Sequence, residues 1–264
     1  MSELVCVITG GSSGIGKCTA LEMKGRGYAV YELSRRESDI EGLTHIRCDI
    51  TDQDMVDAAV AEVMEREDHI DVLINNAGFG VSGAVEFTPP KDARHQFDVN
   101  FFGMVNMNHA VLPIMRERGR GRIVSLSSVA GPIPIPFQAY YSATKAAINA
   151  YSLALANEVK PFGIEVCTVQ PGDISSGFTA AREKLHLGDD VYGGRIARSV
   201  AGMEHDEQTG MRPEEAGRFI AALATKKRFR PINTVGFKYR LFCLIAKLLP
   251  VRLINYLVGL MYAK

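Results

Sequence analysis

The chain has 264 residues, 47% of them hydrophobic, with 30 basic and 30 acidic side chains. That length and apolar content suit a globular domain with a sizeable core, and the balanced charge leaves no electrostatic footprint for nucleic acid. Five cysteines, an odd number with no C-x-x-C pair, exclude a paired disulfide framework and fit a reducing cytoplasm.

Leu4 to Ile8 is a short apolar, mostly β-branched run, the pattern of a buried parallel strand. Thr9-Gly10-Gly11-Ser12-Ser13-Gly14-Ile15-Gly16 follows, and a helix is predicted from about Ile15 to Arg26. Strand, glycine-rich turn and helix together form the context of a dinucleotide site. Glycines let the backbone approach a pyrophosphate, and the helix start presents free N–H groups and the positive end of its dipole. A second strand, Tyr28 to Ser34, runs into Arg35-Arg36. An acid at this strand end would bind a ribose 2′-OH, whereas guanidinium groups suit a 2′-phosphate. Ser34, Arg35 and Arg36 therefore favour NADP(H) over NAD(H). Glu32, two residues earlier, becomes the NAD-type acid if the strand end is shifted.

A third strand, His45 to Cys48, leads to Asp49-Ile50 and a helix N-capped by Thr51 or Asp52. A fourth, Ile70 to Ile74, runs into Asn75-Asn76-Ala77-Gly78, at the end of a parallel strand where open α/β sheets bind ligands. A long helical stretch from about Lys91 to Arg118 precedes a strand from Arg122 to Ser127. Then come a helix from Tyr141 to Lys160, a strand from Ile164 to Val169, and an irregular region to about Gly210. A helix from Pro213 to Thr225 and a short strand near Asn233-Thr234-Val235 follow. The unbroken β–α alternation predicts a single α/β domain over residues 1–264, a doubly wound parallel sheet with helices on both faces. The first strand begins almost at Met1, so no secretory leader is expected. Six scattered histidines show no metal-ligand spacing, and no metal is expected; His95 and His109 are assigned structural or surface places.

Tyr141 and Lys145 are four residues apart, about one helical turn, and share a helix face. A fixed cation beside a phenol favours phenolate and lets a tyrosine exchange protons near neutrality. Ser128, thirteen residues before Tyr141, would bring a hydroxyl from a strand end to a substrate oxygen. Tyr140 and Ser127 are the neighbouring rivals, but the residue four on from Tyr140 is Thr144, not a lysine.

With these residues in order, the chain resembles the short-chain dehydrogenase/reductase family, which has the Rossmann fold. The resemblance rests on Thr9 to Gly16, Asp49, Asn75 to Gly78, Asn100, Ser128, Tyr141 with Lys145, and Pro171-Gly172. Phe79-Gly80, Gly121 to Val124, Pro132 to Phe137 and the basic, apolar tail resemble the 17β-hydroxysteroid-dehydrogenase-like group. The resemblance implies a catalytic set of Asn100, Ser128, Tyr141 and Lys145. Tyr141 would be the general acid/base and Lys145 the cation that lowers its pKa and holds the nicotinamide ribose. Ser128 would position the carbonyl, and Asn100 would hold a water in the proton relay. Cofactor contacts would come from Gly10, Ser12, Ser13, Gly14, Ile15 and Gly16, with Arg35 and Arg36 at the 2′-phosphate. Asp49 and Ile50 would flank the adenine, Asn76, Ala77 and Gly78 the adjoining ribose, and Pro171, Gly172 and Ile174 the nicotinamide. Ser176 stands where many relatives carry Thr, and it keeps the hydroxyl.

The proline-stiffened stretch from Gly131 to Phe137, together with Phe79, Val81 and Phe178, offers an apolar surface beside the nicotinamide. The expected pocket residues are Phe79, Pro134, Phe137 and Phe178, and the expected substrate is a hydrophobic ketone or secondary alcohol, steroid-like or acyl-lipid-like. Residues 175–211, with several glycines and many charges, are expected to move as a lid. Residues 238–264 form an apolar helical extension with scattered basic residues, interrupted by Pro250. Its uncharged runs fall short of the roughly 20 residues of a membrane span. It is expected to contact a subunit or cover the pocket, with peripheral membrane contact as the alternative. A homo-oligomer, dimer or tetramer, is implied by the family. Two other functions fit fewer features. A 3-oxoacyl thioester reductase would dock its carrier on Arg116, Arg118, Arg120 and Arg122, and a non-enzymatic NADPH sensor would bind a partner through the tail.

Overall fold

The computed structural model describes residues 3–263. Seven parallel strands form the main sheet: β1 (Leu4–Thr9), β2 (Tyr28–Ser34), β3 (Thr44–Arg47), β4 (Val72–Asn75), β6 (Gly121–Leu126), β7 (Ile164–Gln170) and β9 (Ile232–Thr234). Their spatial order is β3-β2-β1-β4-β6-β7-β9, so the order reverses between β1 and β4. Two short strands, β5 (Val81–Ser82) and β8 (Glu183–Lys184), pair separately.

Alternation along the buried strands decides which helices cover which face. Val5 and Val7 of β1 point into one core with Leu73 and Ile123. That core is covered by α2 (Gln53–Glu67), α4 (Gly103–Arg118) and α5 (Ala139–Val159). Cys6 and Ile8 point into the other, with Ile74 and Val124, beneath α1 (Gly14–Gly25) and α8 (Pro213–Thr225). Burying a side chain the size of Ile8, which is fully buried, contributes about 1.5–3 kcal/mol. This is a single-domain doubly wound Rossmann sheet, as the alternation of the sequence predicts.

Three departures bear on the site. The stretch from Lys91 to Arg118 is not one uniform helix: α3 (Pro90–Phe97) passes through a π-helical segment, Asp98–Phe102, into α4. A widened turn of this kind re-aims the side chains it carries, and Asn100 is one of them. Residues 175–211, expected to be irregular, hold α6 (Phe178–Ala181), β8 and the fourteen-residue α7 (Arg195–Gln208). The tail forms two helices, α9 (Phe237–Leu248) and α10 (Val251–Tyr262), separated at Pro250. No helix among the described residues is long and apolar enough to cross a membrane.

Candidate active site

A cleft of about 480 Å³ opens at the carboxyl ends of the strands, beside the point where strand order reverses. Its floor is the turn from β1 into α1. Gly10 and Gly14 take left-handed backbone angles, φ +65° and +54°. A Cβ on Gly16 would stand 2.2 Å from the Gly10 carbonyl oxygen, so only glycine allows the turn to close this tightly. Thr9 Oγ1 accepts hydrogen bonds from the backbone N–H groups of Asn76 and Ala77, both at 3.1 Å. Asn76 Nδ2 donates back to the Thr9 and Gly10 carbonyls at 2.9 and 3.0 Å. The two turns are thereby locked together. Ser13, at the N-cap of α1, makes no side-chain capping bond, and the first turn holds no acid. This helix start keeps its donors and dipole for an anion in the cleft, which fits a pyrophosphate.

Ser34, Arg35 and Arg36 border the same cleft, with both arginines exposed. Glu32 does not border it. Its side chain is 1% exposed, lies beneath Gly11 and meets His45 Nδ1 at 2.7 Å. Asp49 and Ile50 also line the cleft. Burial raises the Asp49 pKa, but the two hydrogen bonds from Thr51, with the charge of Arg35, outweigh it and leave the carboxyl below its ordinary value.

At the other end, α5 carries Tyr141 and Lys145 into the cleft, and the loop after β6 carries Ser128. Tyr140 does not line it, and Ser127 is occupied in donating to the Lys145 carbonyl at 2.8 Å. Burial pushes the Tyr141 phenol up to about 12, against a hydrogen bond with Ser128 and the charge of Arg182, which both lower it. Burial also pushes the Lys145 ammonium down to about 8. Lys145 Nζ donates to the Leu126 carbonyl at 2.8 Å and lies 5.6 Å from the Tyr141 ring centroid. Arg182 is a second buried cation that bears on Tyr141, and the sequence pattern did not single it out.

Asn100 is 1% exposed and stands behind the cleft wall. Its Oδ1 accepts from the Phe79 N–H at 2.9 Å, and its Nδ2 donates to the Phe79 carbonyl at 2.9 Å and to Thr144 Oγ1 at 3.2 Å. The π-helical turn thereby fixes the Asn-Asn-Ala-Gly segment against α5. Pro171, Gly172 and Ile174 line the cleft beyond β7.

Of the four expected pocket residues, Phe79 and Phe178 line the cleft; Phe178 stacks at a tilt on Tyr141, ring centroids 5.7 Å apart. Pro134 and Phe137 do not line it. Phe137 has a positive φ of 59°, and its ring meets Tyr192 at 5.9 Å, within the small core under α7. Ile135 and Gln138 face the cleft instead. Sequence reading also missed Asp173, Met203, Glu207 and Tyr262, brought in from three later segments, and His95, which packs on Phe79 at 5.2 Å. The spacing of Ile196, Val200 and Met203 at helical intervals was the available signal for α7.

An anion-ready helix start, a half-buried Tyr141 and a buried Lys145 share one cleft at the switch point of a Rossmann sheet, which defines a nucleotide-binding oxidoreductase. The chain belongs to the short-chain dehydrogenase family, whose profile matches residues 4–186. It is 40% identical to the 3-ketodihydrosphingosine reductase of Bacteroides thetaiotaomicron, over 100% of this chain and 99% of that protein. It is 36% identical to the probable short-chain type dehydrogenase/reductase VdlC of Helicobacter pylori, over 93% of each chain. Among solved structures, a short-chain dehydrogenase from Streptomyces avermitilis superimposes with a TM-score of 0.82 at 29% identity, covering 96% of this chain and 94% of that one.

Proposed function

We propose that the chain is an NADPH-dependent reductase of a long-chain hydrophobic ketone, of the 3-keto sphingoid-base class. The full-length likeness to a 3-ketodihydrosphingosine reductase carries this reading. Phe79, Ile135, Phe178 and Met203 give the cleft an apolar wall, and Asp173 and Glu207 add carboxylates. Glu207 is already paired with Arg182 and Asp173 accepts from the Tyr239 hydroxyl at 2.6 Å, so it is the apolar wall that favours a long alkyl ketone. The α1 start would hold the pyrophosphate, and Arg35 with Arg36 the 2′-phosphate. Asp49 and Ile50 would flank the adenine, Asn76 to Gly78 the ribose, and Pro171, Gly172 and Ile174 the nicotinamide.

When bound, the nicotinamide supplies the hydride. Ser128 donates a hydrogen bond to the substrate oxygen, and Tyr141 gives that oxygen its proton as negative charge develops there. Lys145, buried against the Leu126 carbonyl, would hold the nicotinamide ribose. Asn100 holds the Phe79 backbone and so the shape of the adjoining turn. Residues 175–211 close over the reacting atoms as a lid.

The thioester reductase reading finds less support. Arg118 and Arg120 are turned to Asp71 at 3.5 and 3.2 Å, and Arg122 pairs with Glu165. These contacts lie at the amino ends of β4 and β6, opposite the cleft. The test is oxidation of NADPH and NADH across 3-keto sphingoid bases, steroid ketones, 3-oxoacyl thioesters and small sugars. NADPH-dependent turnover on the sphingoid base, with KM for NADPH raised about 10- to 100-fold by Arg35→Ala with Arg36→Ala, is the expected result. Turnover confined to thioesters or sugars would overturn the substrate assignment. Equal effects on NADH and NADPH would overturn the cofactor assignment.

A further inference from the structure

The last 39 residues, from Lys226 onward, contain nine lysines and arginines and no acid, although the whole chain has 30 of each sign. The positive surplus of this electrically neutral protein is therefore gathered in one segment. The same segment is covered with exposed apolar side chains. α9 and α10 bury one residue each, Cys243 and Val258. Among the described residues, twelve of the twenty exposed large apolar side chains lie on these two helices, with Phe237, Leu248 and Val251 82%, 76% and 84% exposed. Scattered exposed apolar residues need no explanation, but a concentrated patch of this kind marks an interaction surface.

Beneath α9 runs a groove of about 1130 Å³. Lys226, Arg228, Arg230, Arg240 and Lys247 line it, with Phe219, Phe229 and Leu244 between them. No carboxylate lines it. Cations and apolar side chains are thus mixed in the groove and along α9, which forms one of its walls, and α10 continues the apolar side chains beyond Pro250. Each helix has 12 residues, about 18 Å of length at 1.5 Å per residue. That is well short of the roughly 30 Å hydrocarbon thickness of a bilayer, so the helices can lie in an interface but cannot cross it.

We propose that α9, α10 and the basic groove form a docking surface for an anionic phospholipid bilayer. The apolar side chains enter the boundary between headgroups and acyl chains, and the cations meet the phosphates. A second copy of this chain is a poor occupant, because an isologous contact would set the cations of the groove, α9 and α10 against their own copies, with no acid in those elements to meet them. Tyr262, near the end of α10, lines the cleft and donates to Asp206 Oδ2 at 3.2 Å. The docking surface is therefore continuous with the cleft wall.

The test is flotation of the full chain with vesicles of phosphatidylcholine alone and of phosphatidylcholine mixed with phosphatidylglycerol. Binding to the mixed vesicles only, weakened at high salt, is expected. Leu248→Glu with Val251→Glu should abolish it, and Arg228→Glu with Lys247→Glu should weaken it at least about tenfold. Both pairs should melt at the wild-type temperature, because Leu248, Val251, Arg228 and Lys247 are exposed. No flotation with the mixed vesicles at low salt, or flotation that neither pair alters, would overturn the proposal. So would a dimer in solution that Leu248→Glu with Val251→Glu dissociates, which would make a second copy the occupant. Flotation is read without turnover, so its failure leaves the reductase proposal standing.

Discussion

Burial shifts Tyr141 and Lys145 in opposite directions, each towards its neutral form, the phenol up to about 12 and the ammonium down to about 8. A phenol near 12 does not suit proton exchange at neutral pH. The nearby positive charge of Arg182 and the Ser128 hydroxyl pull the phenol down, and a cationic ring in the cleft would add to them. Tyr141→Phe is expected to keep NADPH affinity within about twofold and to lower kcat by about 10²–10⁴; fluorescence titration and single-turnover kinetics separate the two. Lys145 also makes stability depend on pH. An unfolded lysine titrates near 10.4, so between about 8 and 10.4 the unfolded chain binds more protons than the folded one and stability rises with pH. This contribution is lost as pH falls through about 8. Cys6 and Cys167, pushed up by burial, act in the opposite sense above about pH 8.5. The readout is therefore the difference between wild type and Lys145→Met in urea unfolding. It should shift in favour of wild type by about 1–3 kcal/mol from pH 7.5 to 10.5. Parallel pH profiles would contradict the buried ammonium.

At the scale of elements, α1 and α8 pack more closely than ordinary helix neighbours because of one residue. A Cβ on Gly217 would lie 2.8 Å from the backbone carbon of Cys18. Gly217→Ala gains helix propensity but forces the helices apart, and a net loss of about 1–3 kcal/mol is expected in chemical unfolding. The boundaries of α8 and β2 were legible in the sequence to the residue. Pro213 suits the first helical turn, and Gly27 before Tyr28 punctuates the start of β2. α7 was not legible. Gly193-Gly194 precedes it without a capping side chain, and its many charged residues disguise the apolar stripe. Phe137 was misplaced for a related reason. Its apolar neighbourhood was readable, but the left-handed backbone that turns its ring towards Tyr192 was not.

On the scale of the whole molecule, residues 175–211 meet the body through the β5–β8 pair, the bridge between Ile174 and Met211, and the small core that joins Ile196, Val200 and Met203 to Ala84. Polar and aromatic contacts add to these, among them Tyr262 on Asp206, Tyr192 on Glu86 and Phe178 on Tyr141. Within the segment, the Arg182 side chain is 1% exposed and pairs with Glu207, which also accepts from Thr179 Oγ1 at 2.6 Å. Removing one partner of a buried pair costs about 3–5 kcal/mol, and the cost falls within this segment, which can open as a local unit. Glu207→Gln is expected to make 175–211 the first site of limited proteolysis while the exchange of β1, β4 and β6 amides stays at wild-type rates; uniform acceleration would show that the segment is no separate unit. The Rossmann sheet, the family and the tyrosine–lysine face are legible along the chain, because each is written in short-range periodicity and spacing. That Glu32 turns from the cleft to His45, that Arg182 bears on Tyr141, and that Met203, Glu207 and Tyr262 close the pocket emerges only once the chain is folded. Those placements depend on which distant segments meet, and no local pattern along the chain encodes the burial and charge that a side chain finds there.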